Sequence, residues 1–253
     1  MPYLSASGHR LEYRWIEPRA AGRPALVFLH EGLGSAELWK DFPDEVAAAT
    51  RCGALVYSRF GYGRSDPLDG PRGTDYLHRE ALEALPDVLA ACGISDPVLI
   101  GHSDGASIAL IHAGAAARPV RGLVLEAPHV FVEDVTIAGI EDAGRAWREA
   151  GLERRLARYH ADPQGAFLGW HDTWLQPEFR AWNIESVLPA ITCPALLIQG
   201  EDDEYATLAQ LDAIERRSGG RIERLDLPAC GHSPHRERPR ETLDAIVRFI
   251  STL

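Results

Sequence analysis

Short apolar runs alternate with longer stretches of helical periodicity along most of the chain. Pro24 leads into Ala25-Leu26-Val27-Phe28-Leu29-His30, a run that suits a strand buried on both faces. Ala54–Ser58, Arg121–Ala127, Ala195–Gln199 and Ile222–Leu227 read the same way, and Tyr3–Ala6 with Arg10–Ile16 reads as a hairpin turning at Ser7-Gly8-His9. Between them lie helical patterns at Glu37–Ala49, Asp75–Ala91, Ala106–Ala117, Leu208–Arg217 and Pro239–Ile250, the last opened by a proline in its first turn. Within Asp75–Ala91 the pattern sets Leu77, Leu82, Leu85 and Leu89 on one side, and Pro86 is expected to bend the helix. Strands alternating with helices predict an α/β fold, a mostly parallel sheet with helices on both faces.

From Pro128 to Pro189 the alternation stops. The stretch is helical in composition and holds Trp147, Trp170, Trp174 and Trp182, together with Phe131, Tyr159, Phe167 and Phe179. It falls between the sixth and seventh strands, so it is expected to be a helical lid over the carboxyl ends of the strands, where open α/β sheets bind ligands. Residues 1–128 and 190–253 then form the core and 129–189 the cap. Most of the aromatics are expected to pack the small helices, with Trp170 and Trp174 lining a pocket.

Length and composition fit a single α/β domain carrying an insertion, with an apolar fraction ample for a core. The net charge of −11 and the lack of a Lys/Arg run exclude nucleic acid as the expected partner. No apolar run reaches the roughly 20 residues of a membrane span, so no membrane partner is expected. The first residues lack a signal-peptide layout, and Cys52, Cys92, Cys193 and Cys230 are scattered. The expectation is a cytoplasmic protein with free thiols and no metal site. Oligomeric state stays open.

The candidate chemistry centres on Val98-Leu99-Ile100-Gly101-His102-Ser103-Asp104-Gly105, an apolar run ending in Gly-His-Ser-Asp-Gly with a small-residue helix behind it. A strand, a sharp turn and a helix with serine at the apex is the setting of a nucleophile elbow, with small residues at Gly101 and Gly105 because the turn is tight. A serine hydroxyl needs a base within hydrogen-bond reach, and the base needs a carboxylate to hold its tautomer. Downstream, one strand ends in Gly200-Glu201-Asp202-Asp203-Glu204 and the last in Ala229-Cys230-Gly231-His232-Ser233-Pro234-His235. The acid could come from Asp202, Asp203 or Glu126, the base from His232 or His235.

With these pieces, the His30–Ser35 loop and Phe60-Gly61-Tyr62-Gly63-Arg64-Ser65, the chain resembles the α/β-hydrolase superfamily over nearly its full length. The resemblance implies the α/β-hydrolase fold with Ser103 as nucleophile, Asp203 as acid and His232 as base. It implies oxyanion donors at the backbone N–H of Asp104 and at Gly32 or Leu33, with Glu31 standing where the family usually has glycine. His102 is then expected to point into the fold and His30 to brace its loop. The implied activity is a serine hydrolase of a small or medium acyl substrate, a carboxylic ester first, with no cofactor. Carbon–carbon bond hydrolysis as in the similar meta-cleavage-product hydrolases, lyase chemistry, and a non-catalytic small-molecule receptor are the alternatives. Asp104 and Glu31 carry a second expectation, because an Asp after the nucleophile is similar to that of α-amino-ester hydrolases in the superfamily. Two carboxylates by the acyl pocket would favour an ammonium group, whereas an Asp in a helix's first turn is also stabilised by the helix dipole alone.

Overall fold

The structure is a computed structural model describing residues 1–115 and 119–253. Strands β1 (Tyr3–Ala6), β2 (His9–Ile16), β3 (Ala25–Leu29), β4 (Gly53–Tyr57), β5 (Val98–His102), β6 (Gly122–Glu126), β7 (Ala195–Gly200) and β8 (Ile222–Leu227) form one sheet in the order β1-β2-β4-β3-β5-β6-β7-β8. The first two strands run antiparallel to their neighbours and the rest are parallel. Leu26, Phe28, Val56, Ile100 and Ile198 alternate with Val27, Leu29, Leu55, Leu99 and Leu197, so the strands feed two separate cores. One lies under α1 (Phe42–Thr50) and α10 (Pro239–Ile250), through Val46, Ile246 and Phe249. The other lies under α3 (Leu85–Ala91), α4 (Asp104–Ala115) and α8 (Ala209–Arg217).

Three helices differ from the sequence reading. The expected helix at Glu37–Ala49 begins only at Phe42, with Pro43 in its first turn, because a proline lacks the N–H an interior position must donate. The 75–91 stretch is not one regular helix. After α2 (Tyr76–Arg79) it widens to π-type hydrogen bonding over Glu80–Ala84, immediately ahead of Pro86, before α3 resumes. Leu77, Ala81, Leu85, Val88 and Leu89 form the buried line, and Leu82 is turned out to solvent at 42 % exposure. The expected helix over Ala106–Ala117 begins at Asp104, and its last two residues lie outside the described ones.

Between β6 and β7 the chain runs through α5 (Asp134–Glu149), α6 (Leu152–Leu156), α7 (Pro163–Trp174) and two short 3₁₀ turns at Pro177–Ala181 and Glu185–Ala190. The two ends of this excursion meet, since Ile184 N–H donates to Val130 O at 2.8 Å and Phe131 bridges Asn183. Trp147 stacks on Phe167 and Phe179 on Trp182, holding the small helices together as expected of most aromatics here. The strand order turns back between β3 and β5, and the registers Leu29↔Gly101 and His102↔Glu126 bring three strand ends together at that turning point. The crevice of an open α/β sheet opens there.

Candidate active site

Ser103 caps the end of β5 with φ +52°, left-handed backbone that a non-glycine residue adopts only when its surroundings hold it there. Its N–H donates to Glu126 O at 2.9 Å, and its carbonyl accepts from Ala106 and Ser107, fixing the start of α4. Any side chain at Gly105 would collide with the Leu29 carbonyl, and any at Gly101 with the Gly105 carbonyl, so the glycines of the motif are required by this close approach.

His232 and Ser103 face the same cavity of about 210 Å³. His232 Nδ1 lies 2.9 Å from both carboxylate oxygens of Asp203, whose side chain is fully buried. Asp203 also accepts from the Tyr205 and Ala206 N–H groups and from Gln199. Burial alone would push its carboxyl up, but the His232 ring and these hydrogen bonds outweigh that and hold it below the usual carboxylate range. Asp202 is solvent-exposed and donates its N–H to Cys230 O. Glu126 lies elsewhere, paired at 2.9 Å with His235 Nδ1 in a fully buried couple. His129, beside His232 with ring centroids 5.8 Å apart, is held neutral by burial and by the neighbouring imidazole, its pKa pushed down to about 3.

The loop after β3 forms the opposite wall, with Glu31, Gly32 and Leu33 all facing the cavity. His30 is buried, donates from Nδ1 to Glu31 O at 2.7 Å and accepts the Arg59 N–H at Nε2. Burial and the Arg59 charge keep it neutral, well below the ordinary histidine value, which agrees with that tautomer. His160, from the segment between α6 and α7, donates from Nε2 to Leu33 O at 3.0 Å and accepts the Gly63 N–H at Nδ1. It therefore ties the inserted helices to this loop. No motif marked it, since its partners are main-chain groups remote in sequence.

Asp104 differs from its second expectation. Its carboxylate is fully buried and faces away from the cavity, accepting from Tyr76 OH at 2.7 Å and pairing with Arg59 Nη2 at 3.4 Å. Tyr76 OH in turn accepts from Trp174 Nε1 at 2.8 Å. Arg59 also donates to the carbonyls of His30 and Glu31, so a buried cation joins the start of α4 to the loop after β3. Arg59 was not singled out by sequence, because its partners assemble only when three strand ends meet. The Asp104 side chain is engaged within the fold and is not offered to a ligand.

Trp170 and Trp174 of α7, Ile140 and Thr136 of α5, Tyr205, Glu204 and His129 also line it, as do His102 and Ser233. Neither Lys nor Arg borders the cavity among the described residues, whereas Glu31 and Glu204 do. Among the described residues no group of three or more His, Cys, Asp or Glu is arranged to hold a metal ion. No helix among them is long and apolar enough to cross a membrane.

A mostly parallel sheet turning back at β3 and β5, with a positive-φ serine at one strand end and a His–Asp pair across the crevice, defines an α/β-hydrolase architecture. The chain belongs to the alpha/beta hydrolase family, whose model matches residues 26–245. It is 28% identical over 244 residues to human serine hydrolase BPHL, covering 92% of this chain and 80% of that protein. In fold it is similar to the enol-lactonase from Burkholderia xenovorans LB400, with a TM-score of 0.77 at 21% identity, covering 99% of this chain and 100% of the other. It is likewise similar to the meta-cleavage product hydrolase CumD from Pseudomonas fluorescens IP01, with a TM-score of 0.78 at 17% identity, covering 100% and 98%.

Proposed function

We propose that this chain is a serine hydrolase that cleaves a small or medium carboxylic ester through an acyl-enzyme on Ser103. The observation that carries the reading is the shared cavity. A serine held at positive φ and a histidine whose Nδ1 is gripped by a buried carboxylate face the same space. With Nδ1 protonated toward Asp203, Nε2 of His232 is left as the acceptor.

In this mechanism Ser103 Oγ attacks the ester carbonyl carbon as its proton passes to His232 Nε2. The carbonyl oxygen becomes an oxyanion, stabilised by the backbone N–H of Asp104 and one from Gly32 or Leu33. The tetrahedral intermediate expels the alcohol, which takes the proton from His232. Water then attacks the acyl-enzyme, giving its proton to His232, and the acid leaves as Ser103 regains its hydrogen. Asp203 stays ionised throughout and stabilises the imidazolium.

The substrate class follows from the lining. The volume suits a small or medium acyl group, Trp170, Trp174 and Ile140 offer apolar surface, and the lack of a lining Lys or Arg among the described residues disfavours anionic substrates. Residues 129–189 act as the cap that closes this pocket. The similarity to a serine hydrolase over nearly the whole chain supports the same chemistry. The test is a fluorophosphonate probe with a screen of p-nitrophenyl esters, amino-acid esters and a ring-fission dienoate. Wild type should be labelled and hydrolyse uncharged esters, and Ser103→Ala should do neither. Equal labelling of the two would remove Ser103 from its role, and turnover of the dienoate alone would replace the ester reading by carbon–carbon bond hydrolysis.

A further inference from the structure

His102 stands between the nucleophile and two other parts of the site. Its ring is buried at the wall of the cavity, and its two nitrogens point to different loops. Nε2 lies 2.7 Å from the backbone carbonyl of His232, which only accepts, so Nε2 carries a proton. Nδ1 faces Glu31 Oε2 at 3.6 Å, too long for a hydrogen bond but within ion-pair range. The Glu31 carboxylate reaches this position by folding back over Gly34, where any side chain would collide with it.

We propose that His102 is a positioning residue. Doubly protonated, it clamps the Gly32–Leu33 loop through Glu31, and the base loop through the His232 carbonyl, to the end of β5. The inference rests on the ester-hydrolase reading for its consequence in turnover, while the clamp is a feature of the free protein. An alkaline limb follows. When His102 loses its Nδ1 proton, a ring lone pair faces the Glu31 carboxylate and the loop that offers an oxyanion donor loses its anchor.

Two carboxylates and several rings surround His102. Glu31 approaches from the loop after β3, and Glu126 acts from β6. His232, with ring centroids 5.1 Å away, comes from the loop after β8, and His235, at 5.2 Å, from α9 (Pro234–Glu237). His129 lies 5.8 Å from His232, and Trp39 packs edge-on against His102 at 6.2 Å. Burial pulls the His102 pKa down, but Glu31, Glu126 and the His232 carbonyl outweigh it and the value lies above that of ordinary histidine. Glu31 is raised by burial yet held well below the carboxylate range by His102, by Arg236, whose Nη2 lies 3.8 Å away, and by His30. The Glu31 carboxylate 3.6 Å from Nδ1 thus favours the cationic form of His102.

The experiment combines histidine-labelled NMR with pH profiles on p-nitrophenyl acetate. His102, assigned by the signal lost in His102→Gln, should titrate above ordinary histidine in wild type and fall in Glu31→Gln. In wild type kcat should fall at high pH as His102 loses its Nδ1 proton. In Glu31→Gln the amide can donate to neutral Nδ1, so the alkaline limb should disappear. Glu31→Ala should lower kcat by about ten-fold below the alkaline limb and converge on wild type above it, with KM little changed, less than the 10²–10³ of deleting an oxyanion donor outright. An alkaline limb persisting unchanged in Glu31→Gln, or a His102 titration below ordinary histidine, would overturn the clamp. Loss of the ester-hydrolase reading would show instead as equal probe labelling of Ser103→Ala, and the NMR titration would still decide the clamp.

Discussion

Asp202 and Asp203 are neighbours in the chain and opposites in environment, one exposed and the other buried against His232. Asp203→Asn is therefore expected to lower kcat by about 10⁴, because an amide no longer enforces the tautomer that leaves Nε2 free, while Asp202→Asn should change it little. Steady-state kinetics on one ester check both, and the reverse ranking would move the acid to Asp202. Asp104 makes a different prediction. Its carboxylate neutralises fully buried Arg59, so Asp104→Ala should destabilise the fold by about 3–5 kcal/mol, read by urea denaturation, as expected when one partner of a buried pair is removed. An α-amino ester should gain no advantage from Asp104 over its des-amino analogue, and an advantage that vanished in Asp104→Asn without loss of stability would return the side chain to the pocket.

At the scale of elements, α7 carries pocket and scaffold on the same face. Trp170 borders the cavity and its indole nitrogen serves no other group, whereas Trp174 borders the cavity and donates to Tyr76. Trp170→Ala is expected to shift kcat/KM between short and long acyl esters by roughly 1–3 kcal/mol. Trp174→Ala should instead cost about 3–5 kcal/mol of stability, since it opens a cavity and strips a hydrogen bond from the Asp104 network. A chain-length series with thermal melts separates the two effects, and a uniform loss of activity in Trp170→Ala would assign it to packing. His160 joins the inserted helices to both Leu33 and Gly63.

Over the whole molecule, the buried histidines set the response to acid. His30, His129 and His160 are each lowered chiefly by burial. Their folded-state values lie below the unfolded one of about 6.5, so as pH falls through that value the unfolded chain takes up protons the folded chain refuses. His102 has the opposite sign, its stabilisation being complete below about pH 6.5 and lost as pH rises through its raised folded value. Three lowered histidines oppose one raised, so the urea midpoint should fall between about pH 7 and about pH 5. A midpoint that held constant or rose over that interval would contradict the buried neutral state of these rings.

The succession of strands and helices and the elbow were legible in the chain because both are written in local pattern. Apolar runs of strand length alternate with helices, and a serine between small residues at a strand–helix junction needs no distant partner to be recognised. Even there the pattern erred where one proline governs hydrogen bonding, at Pro43, which delays α1, and at the widened turn before Pro86, which leaves Leu82 outside the core. What only the tertiary structure decided is which way each polar side chain turns. Sequence left Asp104 and Glu31 as a possible pair of pocket carboxylates; folding buries one against Arg59 and sets the other against His102. Glu126 and His235, two rivals for the catalytic roles, are given to each other, and Arg59 and His160 acquire partners 28 to 127 positions away. The physical reason is desolvation. A buried charge or imidazole must find its complement among groups that meet only when strand ends converge, and that convergence has no local signature.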